Sequence, residues 1–214
     1  MASKSKLPIA VMISGGGTTL KNLLSEIDED RCPADVRLVI SSKKQAGGNR
    51  FATERSIPLI VAERRDYESD EAYSEVLFKA IRDAGIRFVI LGGFLKRLVI
   101  PTDFENRVVN IHPSLIPAFC GHGMYGMRVH QAVLDYGCKL SGCTVHFVDN
   151  QYDHGPIITQ RAVSVLPGDT AEQLQQRVFC EECRIYPEVI RWIAEDRIQC
   201  QDRKVQVLGE EVQA

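Results

Sequence analysis

Apolar and polar positions along this chain follow two rhythms, and the switches between them lay out its elements. Residues 7–13, Leu-Pro-Ile-Ala-Val-Met-Ile, are a short and nearly continuous apolar run, the pattern of a strand covered on both faces in a parallel sheet. Over 18–27, Leu20, Leu23, Leu24 and Ile27 recur at helical spacing, and 36–40 is strand-like again, which predicts a strand-helix-strand unit. A second helix is expected over 47–55 and a third strand over 57–61. A well-patterned helix follows over 70–84, with Ala72, Val76, Leu77, Ala80 and Ile81 inward and Gly85 as its stop. Strands at 87–91 and 108–111 precede a helix at 128–136. From 141 to 148 the pattern alternates, Cys143, Val145 and Phe147 against Thr144, His146 and Val148, and a partner strand starts in 155–159 after a tight connection. A long closing helix is expected over 170–192, capped by Asp169 or Thr170, with a short strand or loose end after Arg197.

This order predicts an α/β fold: a single Rossmann-like domain with a mostly parallel twisted sheet, helices on both faces, and an antiparallel strand pair in the C-terminal half. The ligand crevice of such a fold lies at the carboxyl ends of the strands. No linker, repeat or low-complexity segment divides the 214 residues, and a composition of 44% hydrophobic and 25% charged residues supports a packed core. A net charge of −2 gives no general basic field for a nucleic-acid backbone, so a nucleic-acid partner is disfavoured. Residues 1–6 lead straight into the first strand without an apolar leader, and no run is long enough to span a membrane, which predicts a soluble, unprocessed cytoplasmic protein. Seven scattered cysteines read as thiols of a reducing compartment.

Three segments carry candidate chemistry. Ser14-Gly15-Gly16-Gly17-Thr18-Thr19-Leu20 lies where the first strand turns into a helix, so backbone N–H groups can crowd an anion at the positive helix end. Leu20 stands where a dinucleotide fingerprint needs glycine, Ser41-Ser42-Lys43-Lys44 lacks the ribose-binding acid, and no Gly-Lys-Ser/Thr follows; a monophosphate is the ligand that fits. The plain alternative is a turn whose glycines only permit close strand-helix packing. In the second segment, Val108-Val-Asn-Ile-His-Pro-Ser-Leu-Ile-Pro117, Asn110 and His112 stand two apart at a strand end and project from one face. An amide N–H beside an imidazolium suits an oxyanion growing on a carbonyl carbon, and a strand-end histidine capped by local backbone is the alternative. Asp153, before Gly155-Pro156, would stabilise the protonated ring and orient a proton-carrying water if it lies near His112; by composition alone it is a turn aspartate.

At these segments the chain resembles the folate-dependent formyltransferases that act on glycinamide ribonucleotide. The match runs over about 7–198 and is most specific at Asn-Ile-His-Pro-Ser-Leu-Ile-Pro, 110–117, with Asp-His-Gly-Pro at 153–156. The resemblance implies transfer of a formyl group from 10-formyltetrahydrofolate, the cosubstrate, to the amine of glycinamide ribonucleotide in purine synthesis, without a metal. It implies Asn110, His112 and Asp153 as the catalytic set and the amides of Gly17, Thr18 and Thr19 as the substrate phosphate clamp. It further implies a folate site at Leu95, Lys96, Arg97, Leu98, Asn110, Asp149, Asn150, Gln151 and Tyr152, and a ribonucleotide contact at Glu182. Without the resemblance, Glu182 reads as a solvated helix charge and Lys96 and Arg97 as solvated basic residues that could equally meet the acidic folate tail. The domain would then comprise a phosphate-binding half over about 7–100, a catalytic and folate half over about 101–198 and a tail over 199–214, working as a monomer or homodimer on small molecules.

The chain departs from the family at Asp70, where many members carry an arginine for the folate tail, and in a long loop over 118–127. His122 and His130 remain candidate secondary groups beside the preferred reading as surface histidines, and Cys180-Glu-Glu-Cys183, a lone pair of thiols, is read as helix packing rather than a metal site. The alternatives are a 10-formyltetrahydrofolate hydrolase, a related enzyme with an extra N-terminal domain and no glycine loop, and a non-catalytic folate- or nucleotide-binding module. A tRNA-formylating relative, which adds a C-terminal RNA-binding domain, needs more length than 214 residues.

Overall fold

A computed structural model describes residues 6–209; the readings of residues 1–5 and of the last five residues of the expected tail lie outside the described residues. The elements follow as β1 (Leu7–Ile13), α1 (Thr18–Asp28), β2 (Ala34–Ser41), α2 (Asn49–Glu54), β3 (Leu59–Val61), α3 (Asp70–Asp83), β4 (Phe88–Leu91), β5 (Val108–His112), α4 (Met127–Tyr136), β6 (Leu140–Phe147), β7 (Ile157–Ser164), α5 (Ala171–Ala194), β8 (Ile198–Gln201) and β9 (Lys204–Val207). Seven strands form one sheet in the order β3-β2-β1-β4-β5-β6-β7, and β8 and β9 form a separate antiparallel pair. The α/β class, the mostly parallel sheet and the antiparallel pair agree with the sequence pattern.

The described residues pack as two compact units, the first reaching to Asn110 and including 148–150, the second comprising 111–147 and the residues from Gln151 on. In the first, β2, β1, β4 and β5 are parallel neighbours, and β3 joins β2 in parallel. The strand order reverses at β1, which lies between β2 and β4, so the loop leaving its carboxyl end sits at the switch point where open α/β sheets bind ligands. Helices cover both faces. Tyr73, Leu77, Phe78 and Ile81 of α3 pack with Ala10, Met12, Leu38 and Ile40 in one core. On the other face Gly92 is wedged beside Thr19 of α1 and Val11 of β1. The expected inward face of α3 is corrected by one turn position: Val76 is 49% exposed, while Tyr73, Ser74 and Phe78 are buried. The aromatic rings reach further into the space above the sheet than valine or alanine, and that decides the helix rotation.

In the second unit, β6 and β7 pair antiparallel with a register shift at Val145/His146. The connection between them runs over nine residues, 148–156, and so is not the tight one expected. Gly142 lets the two strands close: a Cβ there would fall 2.0 Å from the Arg161 carbonyl oxygen. β6 is buried along almost its whole length, on both sides of its alternation. Thr170 is the N-cap of α5 in a capping box with Gln173, and Asp169 instead pairs with Arg177 at 2.8 Å. The loose end expected after Arg197 is the β8–β9 hairpin.

Candidate active site

The glycine loop ends β1 and opens α1. Gly17 is the helix N-cap with φ +71° and no side-chain cap, so the first amides of α1, at Thr18 and Thr19, have neither an intrahelical nor a capping acceptor from a side chain. Close packing accounts for part of the glycine content: a Cβ on Gly17 would lie 2.6 Å from the Gly48 Cα, and Gly48 N–H donates to the Gly15 carbonyl at 3.0 Å. It does not account for the rest. Gly15 and Gly16 are exposed, and a Cβ on either would meet nothing within 4 Å. Open space in front of a helix N-terminus is what an anion clamp needs.

Two serines tie this loop to its neighbours within the same unit. Ser14 Oγ accepts from the Leu95 N–H at 2.9 Å and from Ser42 Oγ at 2.6 Å, and all three groups follow the carboxyl ends of strands, β4, β2 and β1. Ser14 and Ser42 are buried. Leu95 is half exposed, Leu98 is buried, and Arg97 pairs with Asp70 at 3.6 Å, so the solvated reading of Arg97 is replaced by an ion pair. Asp70 also pairs closely with Arg64, whose guanidinium donates to the Tyr67 carbonyl at 2.8 Å. Asn150 Oδ1 accepts from the Ile100 N–H at 2.8 Å, which fixes the end of the β5-side loop.

Asn110 and His112 lie on β5, two residues apart and therefore on one face, with Asn110 opposite Leu91 of β4 in the ladder. His112 is buried, and both of its ring nitrogens face acceptors: Nε2 stands 2.9 Å from the Phe119 carbonyl oxygen and Nδ1 stands 3.4 Å from Asp153 Oδ2. A carbonyl only accepts, so the Nε2 that faces Phe119 is the donor of that contact. Asp153 adopts φ +51° and is held by the Gly121 N–H, which donates to Oδ2 at 2.8 Å. A second buried ring, His146, places Nε2 3.8 Å from Asp153 Oδ1 while its Nδ1 is 2.7 Å from the Phe147 carbonyl.

The segment after His112 is anchored by β6 and β7. Thr144 Oγ1 donates to the Ser114 carbonyl at 2.7 Å and accepts from the Ile116 N–H at 3.1 Å, and the Gln160 amide donates to the Ile116 carbonyl at 3.0 Å. Ser114 Oγ donates to the Ala118 carbonyl at 2.6 Å. On the far side of Asp153, the Arg203 guanidinium of the β8–β9 turn donates to the His154 carbonyl at 2.8 Å. His146, Thr144, Gln160 and Arg203 were not singled out by the sequence. The only signal for the first two was a polar residue at each of two inward positions of a buried strand.

Three further groups depart from their plain readings. Glu182 is only partly exposed rather than a fully solvated helix charge, and desolvation pushes its carboxyl up to about 7. His130 is no surface histidine: it is buried with an unpartnered Nδ1, and burial, followed by the charge of His112, pushes its pKa down to about 4. The His130 ring beside His112 thus stays neutral near pH 7. Burial and the Asp153 carboxylate push the Cys120 thiol up, which opposes a thiolate nucleophile there. His122 is exposed and stacks edge-on against Tyr152 at 5.6 Å. Cys180 is exposed and Cys183 is partly buried, so only one thiol of that pair packs. Among the described residues no group of three His, Cys, Asp or Glu side chains stands ready to hold a metal ion, and no helix is long and apolar enough to cross a membrane.

A buried histidine backed by a carboxylate at a strand end is chemistry suited to a carbonyl oxyanion, and uncapped helix amides behind a glycine loop are, separately, chemistry suited to an anion. The formyl transferase family model matches residues 7–190, and the chain belongs to that family. It is 39% identical over 205 residues to the chloroplastic phosphoribosylglycinamide formyltransferase of Arabidopsis thaliana, covering 94% of this chain and 70% of that one. It is 40% identical to the protein of the same name from Vigna unguiculata, of whose length it spans 62%. The crystal structure of glycinamide ribonucleotide transformylase 1 from Symbiobacterium toebii aligns with a TM-score of 0.89 at 40% identity over 96% of both chains. A formyltetrahydrofolate deformylase from Pseudomonas syringae pv. tomato is more distant, with a TM-score of 0.82 at 25% identity and 66% of that chain covered.

Proposed function

We infer that this formyl transferase moves the formyl group of 10-formyltetrahydrofolate onto the amine of glycinamide ribonucleotide, giving formylglycinamide ribonucleotide and tetrahydrofolate in purine synthesis. The observation that carries the reading is the buried His112 ring with acceptors at both nitrogens, one of them the Asp153 carboxylate at 3.4 Å. In this reading the amine attacks the formyl carbon, a new N–C bond forms, and the bond to folate N10 breaks. The tetrahedral oxyanion meets the Asn110 amide and protonated His112. Asp153 takes one ring N–H, so the other, at Nε2, is the donor left for the oxyanion, and substrate oxygen replaces the Phe119 carbonyl there. A water oriented by Asp153 carries the amine proton to N10. No covalent enzyme intermediate is needed.

The substrate phosphate is assigned to the amides of Gly17, Thr18 and Thr19 and a ribonucleotide contact to Glu182, whose carboxyl accepts a hydroxyl once ionised. The folate is assigned to Leu95, Lys96, Arg97, Leu98 and Asn110 and to Asp149, Asn150, Gln151 and Tyr152, with backbone groups holding the pterin. The protein acts on these small molecules as a monomer or homodimer in the cytoplasm, a setting that suits seven cysteines all present as thiols. The assay is absorbance of the folate with and without glycinamide ribonucleotide: acceptor-dependent release supports transfer, acceptor-independent release would make it a hydrolase, and binding without turnover would make it a carrier module.

A further inference from the structure

We propose that Cys180 and Cys183 of α5 are a reversible oxidation site, closed to a disulfide by the disulfide of a small cellular thiol, and that closure displaces Glu182, which lies between them. The coupling to Glu182 rests on the ribonucleotide reading above; the thiol chemistry stands without it. Seven cysteines are present, and none is in a disulfide. Cys32 and Cys143 are buried, and burial pushes the Cys143 thiol up to about 12. Cys180 is the one exposed cysteine, and Cys183, a turn further along, is partly buried. An accessible thiol with a second thiol in reach is the arrangement of a redox-sensing pair, in which the first sulfur attacks and the second resolves.

Helix geometry brings the pair close to bonding range. Residues three apart in an α-helix share a face, with Cα atoms about 5 Å apart, inside the span of about 4.4–6.8 Å that disulfides bridge. Their Cβ atoms are about 5–6 Å apart, against about 3.8 Å in a disulfide, so closure has to draw the turn in. The helix is weakest on that side. Pro187 lies inside α5, where it supplies no N–H, and its ring crowds the main-chain carbonyl four residues earlier, that of Cys183. Cys180, Cys183 and Pro187 follow one another at i, i+3 and i+7 and so lie on one stripe.

The flanks of this turn are fixed. The Thr170 capping box secures the start of the helix, and Ile185, Tyr186, Val189 and Ile190 are buried beyond the pair. A pull between 180 and 183 is therefore taken up at Glu181 and Glu182. Glu181 is tied to Arg184 at 2.7 Å, which leaves Glu182 as the group whose displacement reaches a ligand.

The exchange balances without a further reagent. The Cys180 thiolate attacks one sulfur of the small disulfide and expels one thiol, giving a mixed disulfide. The Cys183 thiolate then attacks the Cys180 sulfur, and the second thiol leaves. The two cysteines give up two electrons and two protons, which the small disulfide takes up as two thiols. A strained and exposed bond is readily reduced again, which suits a reducing compartment, where disulfides are transient.

The test treats the full chain with excess glutathione disulfide and reads intact mass, then maps the bonds after alkylation of the remaining thiols. Wild type should lose two hydrogen atoms and carry a Cys180–Cys183 bond. Cys183→Ser should stop at a glutathione adduct on Cys180. Thiols that stay reduced, an adduct that persists in wild type, or a bond between two chains each overturn the proposal. This arm decides whether or not the protein turns over glycinamide ribonucleotide. In the second arm, the KM for the ribonucleotide should rise about 5-fold in oxidised wild type, the scale of one weakened hydrogen bond, and return on reduction with dithiothreitol. Cys180→Ser, treated alike, should keep the wild-type KM and kcat. A bond formed with KM unchanged overturns the coupling to Glu182, and an equal rise in Cys180→Ser overturns it by assigning the effect to another thiol.

Discussion

The two candidate anion-handling regions of this protein are built from opposite materials. At the glycine loop, the candidate donors are main-chain amides, the space in front of Gly15 and Gly16 is open, and no titratable side chain is needed. At the end of β5, the working groups are buried side chains: His112 between a carbonyl and a carboxylate, with His146 on the other carboxylate oxygen. If the first region is the proposed phosphate clamp, it would hold charge with permanent dipoles and should depend on backbone shape and hardly on pH. The second must gain and lose protons, so it depends on side-chain identity and on what keeps each ring in its state. Binding strength and turnover should therefore fail separately.

The largest effect that would break this contrast is at the side-chain site. His112→Ala or Asp153→Asn should lower kcat at least about 10²-fold with little change in the KM for glycinamide ribonucleotide, in steady-state assays. Near-normal turnover in both variants would sink the assignment. Next comes the backbone site, where two glycines should behave differently. Gly17→Ala puts a side chain at φ +71° and against Gly48, and should cost about 1–3 kcal/mol in urea unfolding. Gly16→Ala should leave stability within about 0.5 kcal/mol and raise the KM for the ribonucleotide, since nothing in the protein occupies that space. Equal losses of stability at both positions would mean that the loop is only a packing device.

Smaller still is the effect of the hairpin contact. Arg203→Ala removes the donor to the His154 carbonyl next to Asp153, and kcat should fall about 3- to 10-fold with an unchanged melting temperature. An unaltered kcat would show that the turn places Asp153 unaided. The finest test is pH. Glu182 titrates near 7 in the folded chain and near 4.5 when unfolded, so the folded state binds its proton more tightly, and stability from this group falls as pH rises between those values and levels off above 7. Glu182→Gln should thus gain stability over wild type progressively from pH 5 to 7 and hold that gain at pH 8, seen as urea midpoints that diverge and then run parallel. Midpoints parallel from pH 5 onward would mean that the carboxyl is solvated after all.

Much of the fold was legible because its determinants are local. The apolar runs at 7–13 and 88–91, the helical spacing of Leu20, Leu23 and Leu24, and the Thr170 cap each act within a few residues, and the structure repeats them. The α3 face was misjudged because Val76 and Tyr73 both suit an inward position by hydrophobicity, and only the room above Met12 and Ile40 chooses the larger ring. Asn110 and His112 were legible as a pair because strand geometry puts alternate residues on one face. The contact of Asp153 with His112 spans 41 positions, and no local rule reports it.

Sequence by itself determined the element order, the glycine turn at the end of β1, the strand-end position of Asn110 and His112, and the absence of a general basic field. Tertiary structure decided which charges have partners. Glu182 and His130 have ordinary surroundings in the sequence, yet burial shifts one up and the other down, because the cost of a charge depends on what surrounds it in space. Among the described residues Lys43 and Lys96 have no carboxylate partner while Arg64 and Arg97 share Asp70, and that division is set by loops leaving three different strands. Local sequence encodes conformational preference; the electrostatic state of a side chain belongs to the packed whole.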